Sequence, residues 1–302
     1  MPGHTTPAAL LIHQRLRALT RALPGAKKGD AEQVHQARVA TRRLREALPL
    51  VLAGPRQRAF GRKVRRLTRA LGPVRELDVA LATLDEIGHD GGAPPAAIAR
   101  LKQVVRQERR LLHAGMCREI GRADLEKLRR RIVALAAKGR LDAPERRDPK
   151  LMVRGWEIAA RRAMRLQAAI ENAAGIYLPD RLHDVRIAVK KLRYALEVTR
   201  ELSGSRAAAR LHVLKEAQDL LGRMHDLEVL IARVRAIQGS SQAPNLRLSA
   251  DLDRLVRRLE TECRQIHGHY MSLRPKLVAV CDHTVAKRAD MERAKVHARS
   301  VA

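Results

Sequence analysis

The sequence predicts an all-α protein, built as two antiparallel four-helix bundles that are related by an internal duplication. Apolar residues make up 45% of the 302 residues, yet aromatic residues make up only 2%. A core must therefore be built from Leu, Val, Ile and Ala, which favours packed helices over a sheet. Apolar residues recur every three or four positions, and no stretch alternates in the manner of a strand. Two motifs, each written twice, indicate the duplication.

The first repeated motif is a helix that carries a row of cations beside an apolar stripe. Positions three and four apart share one face of a helix, because each residue turns the chain by about 100°. The earlier copy spans 35–48, and the later copy spans 183–196, about 148 residues further on. The first row consists of His35, Arg38, Arg42 and Arg45, and the second row consists of His183, Arg186, Lys190 and Arg193.

The second repeated motif is a short segment that begins with Leu-Gly and carries two acidic positions. It spans 71–79 and again 221–229, about 150 residues later. Two motifs in the same order at nearly the same offset predict two helical bundles of similar design. A two-fold pairing of these bundles would let both cationic rows face one shared groove.

In the first half, turn-forming residues divide the helical periodicity. Pro24 and Gly72-Pro73 are interpreted as helix ends. Asp30 is a candidate N-cap, with Gln33 three residues on as in a capping box. The expected helices are 8–23, 30–54, 56–71, 74–87, 96–120 and 124–138, with a loop at 89–95.

A polar stretch without periodicity, residues 139–149, is predicted to link the two bundles. The bundles are then residues 8–138 and 150–287, and a basic tail at 288–302 is expected to fray. In the second half, helices are expected from about 150 to the turn at 175–179, from there to 203, and at 205–221, 224–238, 248–267 and 271–287, with a loop at 239–244.

The charge balance indicates a polyanionic partner. Sixty-one Lys and Arg residues stand against 32 acids, a formal charge of +29. So many positive charges repel one another and lower the stability of the folded protein, and a bound polyanion would relieve this repulsion. Nucleic acid, an anionic membrane and inorganic polyphosphate are the candidates, and the alternative is a generally basic protein from an arginine-rich proteome. The helical spacing of the cations favours a partner.

The scarcity of aromatic residues distinguishes between these polyanions. Single-stranded nucleic-acid binders usually stack bases on aromatic rings, and duplex readers need an element that reaches base edges. Neither pattern is present, although Tyr194 lies on the second motif helix. A row of cations about 5–6 Å apart suits phosphate alone. The sequence therefore points to inorganic polyphosphate first and to non-specific nucleic-acid binding second.

Signals for an enzyme are weak. The dipeptides His183-Asp184 and His225-Asp226 could belong to a metal phosphohydrolase, but the first half has Gln36 and Glu76 in place of the two aspartates. No phosphate-binding glycine loop or nucleophile motif is present. We therefore expect a binding protein without a cofactor or a metal. The acids Asp78, Asp226 and Glu228 are interpreted as helix-start charges and partners of internal salt bridges.

The cysteines and the lengths of the apolar segments indicate the cellular compartment of the protein. Cys117, Cys263 and Cys281 are widely spaced and suggest neither a disulfide framework nor a zinc site. No signal peptide is apparent, and no apolar run reaches the roughly 18 residues that span a bilayer. A cytoplasmic protein without membrane insertion is expected, and no feature indicates an oligomeric state.

At the repeated motifs the sequence resembles the CHAD family, the conserved-histidine α-helical domains. The resemblance is carried by His-x-x-Arg-Val/Ile-Ala-x-Lys/Arg-Lys/Arg-Leu-Arg and by Leu-Gly-x-x-Arg/His-Asp/Glu-x-Asp/Glu-Val, each present twice. It covers roughly residues 8–287. The first copies depart from the family pattern at Arg42, where Lys is expected, and at Glu76, where Asp is expected, and both changes keep the charge.

The resemblance implies two four-helix bundles with pseudo-two-fold symmetry and a basic surface or pore between them. It also implies binding of long-chain inorganic polyphosphate, often at bacterial polyphosphate granules, by a module that here stands alone. The matching positions carry this role onto the first and second rows. Flanking cations are expected to help, namely Arg62, Arg65, Arg66 and Arg69 in the first half and Arg161, Arg165, His212 and Lys215 in the second.

Overall fold

The computed structural model describes residues 7–51, 54–123, 130, 149–173, 175–203, 208–240 and 245–300, and the protein is all-helical, as predicted. None of the described residues forms a strand. The described helices are α1 (Pro7–Lys27), α2 (Ala31–Val51), α3 (Gly54–His89), α4 (Pro95–Arg122), α5 (Pro149–Ala173), α6 (Pro179–Ser203), α7 (Ala208–Gln238) and α8 (Leu246–Ser300).

Helices that follow one another along the chain pack together, and counterpart helices meet across the halves. Within the halves, α1 packs on α2, α2 on α3 and α3 on α4, and the same pairs recur among α5 to α8. Between the halves, α2 contacts α6, α3 contacts α7 and α4 contacts α8. Each of these contacts joins a helix to the one in the same place in the other half. A two-fold pairing would give this arrangement, while the duplication itself remains an inference from the sequence.

The core consists of two hydrophobic clusters, and α3 and α4 contribute to both. One cluster joins α1, α2 and the part of α3 from Phe60 to Val74, together with Met116 and Ile120 of α4. The other joins the later part of α3, from Leu77, to the start of α4 and to α5–α8. A helix of 36 residues is about 54 Å long, so α3 can carry the chain from one cluster into the other.

The predicted break at Gly72-Pro73 is wrong, because α3 continues through it. A proline inside a helix loses one backbone hydrogen bond and costs about 3 kcal/mol. Leu71, Val74 and Leu77, on either side of the break, are fully buried. Burying one such side chain contributes about 1.5–3 kcal/mol, so packing on both clusters outweighs the local cost.

The end of α1 is also displaced from the prediction. The helix continues through Pro24 and ends at Lys27, and the turn that follows includes Gly29, whose φ of 88° lies in the left-handed region that glycine favours. The predicted N-cap is confirmed: the Gln33 backbone N–H donates to Asp30 Oδ1 at 3.0 Å.

In the second half, the same kind of correction applies to α7 and α8. The predicted break at Gly222 is absent, because α7 runs unbroken from 208 to 238. The two expected helices at 248–267 and 271–287 are one helix, α8, in which Tyr270 and Leu273 are buried. This helix also includes residues 288–300 of the tail that was expected to fray, where Arg288 pairs with Glu292 at 2.6 Å.

Two predictions fall mainly on residues outside the described ranges, namely the helix at 124–138 and the linker at 139–149. The division into two domains there stays a prediction. Across the described part of the chain, every helix lacks an apolar stretch of the length needed to cross a bilayer.

Candidate anion-binding cavity

A cavity of about 830 Å³ lies between the halves, where α2 and α3 face α6 and α7. We call it the central cavity. Eight Arg or Lys side chains line it against four acids, so its charge is strongly positive. The cations are Arg38, Arg42, Arg45, Arg75, Arg186, Lys190, Lys191 and Arg223, the histidines are His35, His183 and His225, and the acids are Glu46, Glu76, Asp219 and Asp226.

The first and second rows converge in this cavity, as the repeated motif predicted. All four residues of the first row line it, and so do three of the second, but Arg193 does not. Arg193 Nη1 instead lies 3.2 Å from Glu197 Oε1, one helical turn further along α6. The corresponding position in the first half is Pro49, which offers Arg45 no such charge partner.

Arg38 is seated on the backbone of α3 because residue 72 is a glycine. Its Nη1 donates to the Thr68 carbonyl oxygen at 3.3 Å. A β-carbon added to Gly72 would stand 2.8 Å from that same Nη1. Gly222, the counterpart in the second half, has open space around its missing β-carbon. The repeated glycine therefore serves Arg38 but not Arg186.

Tyr194 holds two cations at the contact between the halves. The guanidinium carbons of Arg42 and Arg193 lie 5.0 and 4.9 Å from its ring centre, within the range of cation–π attraction. The ring is buried, with 5% of its surface exposed. Its counterpart, Glu46, forms an ion pair with Arg162 of α5. The two equivalent positions thus contact the opposite half by different chemistry.

The second repeated motif also lines the cavity, which the sequence did not predict. Its Leu-Gly segments place Gly72, Arg75 and Glu76 on one side of the cavity, and Gly222, His225 and Asp226 on the other. Repetition of this motif at nearly the same offset as the rows was the signal that could have assigned it to the site.

Crowding of like charges in a half-buried space lowers the pKa values of the cavity bases. Burial, followed by the charges of Arg42 and Arg186, lowers the pKa of Arg38 to about 10. Burial and the same kind of repulsion, first from Arg186, lower the pKa of Lys190 to about 6. The cavity therefore holds its cations at a cost that an anion would offset.

Burial and neighbouring cations disfavour the charged form of the histidines in the cavity. Burial, followed by nearby cations, lowers the pKa values of His35 and His183, and it lowers the pKa of His225 to about 4. The rings of His183 and His225 face each other across α6 and α7, with their centres 5.0 Å apart.

The prediction that Asp78, Asp226 and Glu228 are helix-start charges is wrong, because α3 and α7 continue through Gly72 and Gly222 and place these acids in helix interiors. Two of them make internal hydrogen bonds. Asp78 Oδ1 accepts from Arg109 Nε at 2.5 Å, and Glu228 Oε1 accepts from the Tyr177 hydroxyl at 2.8 Å. Burial raises the pKa of Asp226, which lies in the cavity beside Arg186. Arg186 Nε is buried and, within the described residues, has no hydrogen-bond partner.

None of the eight flanking cations predicted to extend the rows lines the central cavity. Arg62, Arg161 and Arg165 are exposed and do not line it, since they lie on outward faces of α3 and α5. Arg66 is turned outward to Glu119, at 2.5 Å. The remaining four lie in two places. Arg65 and Arg69 are close enough to Arg45 for their charges to add to the effect of burial in lowering its pKa. His212 and Lys215 line a separate pocket of about 310 Å³, which shares Asp219 and Arg223 with the central cavity.

The part of the chain that the structure describes offers few candidate residues for a metal site. The described residues contain no group of three His, Cys, Asp or Glu side chains that could hold a metal ion. Of the two His-Asp dipeptides, His225-Asp226 lines the cavity, but Asp184 is exposed outside it. Cys117, Cys263 and Cys281 are free thiols.

Comparison with known proteins gives a family and a fold. The sequence model of a family described as the CHAD domain matches residues 10–235. A crystal structure of the CHAD domain from the plant Ricinus communis is similar with a TM-score of 0.66 and 22% identity, over 91% of this chain and 92% of that one. PptA from Streptomyces chartreusis is similar with a TM-score of 0.63 and 16% identity, over 88% of this chain and 97% of that one. No curated protein matches the sequence.

Proposed function

The chain belongs to the CHAD family, and we propose that its central cavity binds long-chain inorganic polyphosphate without hydrolysing it. The observation that carries the proposal is the convergence of the two rows. Helices from separate halves of the chain bring seven of the eight row residues into one space. Scattered surface charge would not gather in this way.

The shape and chemistry of the cavity fit a chain of phosphates. Cations along a helix face recur about every 5–6 Å, and guanidinium groups donate to phosphate oxygens as a fork. Polyphosphate carries negative charge along its whole length and has no side groups that need a pocket. Arg186 itself lines the cavity, so its guanidinium group is placed to donate to such an anion.

Non-specific nucleic-acid binding is the alternative, and the aromatic content of the cavity weighs against it. Tyr194 is the one Phe, Tyr or Trp residue that lines the described cavity. It is buried and lies against the guanidinium groups of Arg42 and Arg193, so it offers no open face for a base. Sequence-tolerant binding of single strands depends on such faces.

A binding role rather than hydrolysis is supported by the surroundings of the cavity acids. Asp226 lies near Arg186, Arg223 and Arg75, whose charges repel a divalent cation. The proposal also includes association with polyphosphate granules, since a protein that holds long chains would collect where those chains collect.

Calorimetric titration with long-chain polyphosphate tests the proposal directly. It would be run at about physiological ionic strength, with double-stranded DNA and orthophosphate as competitors and with phosphate release assayed on the same sample. We expect saturable binding, weak competition by DNA and no release. Equal binding of DNA would indicate a general polyanion sink, and metal-dependent release of phosphate would indicate an enzyme. Either outcome would contradict the proposal.

Exchange of Gly72 for Ala should weaken polyphosphate binding without harming the fold. The new β-carbon would displace the end of the Arg38 side chain from its seat on α3. Loss of one well-placed charged hydrogen bond corresponds to about tenfold in affinity. Ala in a helix interior otherwise stabilises by about 0.5–1 kcal/mol, so thermal stability should not fall appreciably.

Gly222→Ala is the matched control for this experiment. It makes the same change at the counterpart position, where open space surrounds the glycine. Its affinity should stay within about twofold of the unchanged protein, since no charged contact is altered. Equal affinities of the two variants would show that the seat of Arg38 does not matter for binding.

A further inference from the structure

The two sides of the central cavity differ in the type of base at two counterpart positions. On the α2–α3 side these positions hold Arg42 and Arg75. At the counterpart positions on the α6–α7 side stand Lys190 and His225. The repeat therefore keeps the positions but replaces arginine by residue types that release a proton more readily. The histidine at the head of each row, His35 or His183, is common to both sides.

The titratable groups of the α6–α7 side form one cluster. His183 and Lys190 are seven residues apart on α6, which places them two turns apart on one face. His225 of α7 lies against His183, with ring centres 5.0 Å apart. All three side chains line the central cavity, so an anion bound there would lie close to all of them.

Charges from each of the four surrounding helices face this cluster. They are predominantly cationic, and the nearby acids lie among them. The facing groups are Arg186, Lys191, Asp180 and Asp184 of α6, Asp219, Arg223 and Asp226 of α7, His35, Arg38 and Arg42 of α2, and Arg75 and Glu76 of α3.

We propose that the α6–α7 side is proton-linked: polyphosphate binding takes up protons at Lys190, His183 and His225, so that affinity rises as pH falls. The inference rests on the proposed function, since it describes how that same cavity responds to its ligand. Without an anion, burial and repulsion from neighbouring cations disfavour the charged forms of these groups, and a bound anion offsets that repulsion.

The direction follows from the two states of each group. Without ligand, burial and neighbouring cations lower the pKa of Lys190 to about 6 and that of His225 to about 4, and they also lower the pKa of His183. A bound phosphate chain favours the charged form and raises all three pKa values. Near pH 8 the uptake comes from Lys190, and near pH 5.5 it comes from the histidines.

The test is calorimetric titration with long-chain polyphosphate in buffers of different ionisation enthalpy, at pH 8 and at pH 5.5. The dependence of the observed heat on the buffer gives the number of protons bound. We expect about one proton per cavity at pH 8, and hence an affinity that falls by about tenfold per pH unit there. Long chains keep the contribution of the terminal phosphates small.

Reciprocal Lys and Arg substitutions at counterpart positions identify the residue that takes up the proton. Lys190→Arg should bind polyphosphate but take up almost no proton at pH 8, while keeping the uptake at pH 5.5. Arg42→Lys, the same exchange at the counterpart position, should take up more protons at pH 8 than the unchanged protein. His225→Gln should reduce the uptake at pH 5.5 only.

The outcomes separate this inference from the proposed function. Binding without proton uptake at either pH, or an uptake at pH 8 that Lys190→Arg leaves unchanged, would overturn the inference and leave the function standing. Absence of polyphosphate binding at both pH values would overturn both.

Discussion

Replacement of both Arg38 and Arg186 by Gln is expected to weaken polyphosphate binding by about a thousandfold. The two side chains come from α2 and α6, and each lies close enough to the opposite row for its charge to act there. A hydrogen bond to a charged group is worth about 1.5–3 kcal/mol, so loss of two such groups removes about 3–6 kcal/mol of binding free energy. Calorimetric titration of the double variant measures the loss.

The matched control removes the same formal charge from the outside of the protein. Arg161 and Arg165 are exposed on α5 and do not line the cavity. The double change of both to Gln should alter affinity by less than about threefold, since exposed charges are screened by salt. If both double variants lost affinity equally, the net charge of +29 and not the cavity would account for binding.

The central cavity could be predicted from the sequence only as far as helical periodicity allows. Spacing by three and four residues placed His35, Arg38, Arg42 and Arg45 on one face, and the structure brings them into one cavity with most of the second row. Arg193 departs from the row because Glu197, one turn away, offers it a partner at 3.2 Å. Such pairing depends on which rotamer the surroundings favour, and periodicity does not contain that information.

The helix ends show a similar limit. Gly72-Pro73 has the local chemistry of a helix end, yet α3 continues because Leu71 and Leu77 are buried in two different clusters. The burial comes from helices that are distant in sequence. For the same reason, the role of Gly72 as the seat of Arg38 could not be predicted, since the contact joins residues 34 positions apart, on α2 and α3.

Replacement of Lys190 by Met is expected to stabilise the ligand-free protein by about 2–3 kcal/mol at pH 7. Burial and neighbouring arginines lower the pKa of Lys190 to about 6, so the folded protein holds it mostly uncharged at pH 7, while the unfolded chain holds it charged. Each pH unit between about 10.4 and 7 then costs about 1.4 kcal/mol, or somewhat over 4 kcal/mol in all. Solvent in the cavity reduces this cost, and Met removes it.

The pH dependence of the difference identifies its cause. For a base whose pKa is lowered by folding, the cost is fully present below the folded pKa of about 6 and disappears as pH rises towards the unfolded value. The free energy of unfolding, measured in urea, should therefore differ most between the two proteins at about pH 6 and below, shrink as pH rises, and converge near pH 10. A constant difference at all pH values would indicate improved packing instead.

Lys63→Met on the exposed face of α3 is the control, and it should change stability by less than about 0.5 kcal/mol because Lys63 is solvated in both states. Lys190→Met should also bind polyphosphate more weakly, since the cavity loses a cation that the ligand would have charged. A gain in stability together with a loss of affinity would show that Lys190 destabilises the ligand-free protein but contributes to binding. Such a trade-off between stability and function is expected of a binding site whose lysine becomes fully charged only when the anion is bound.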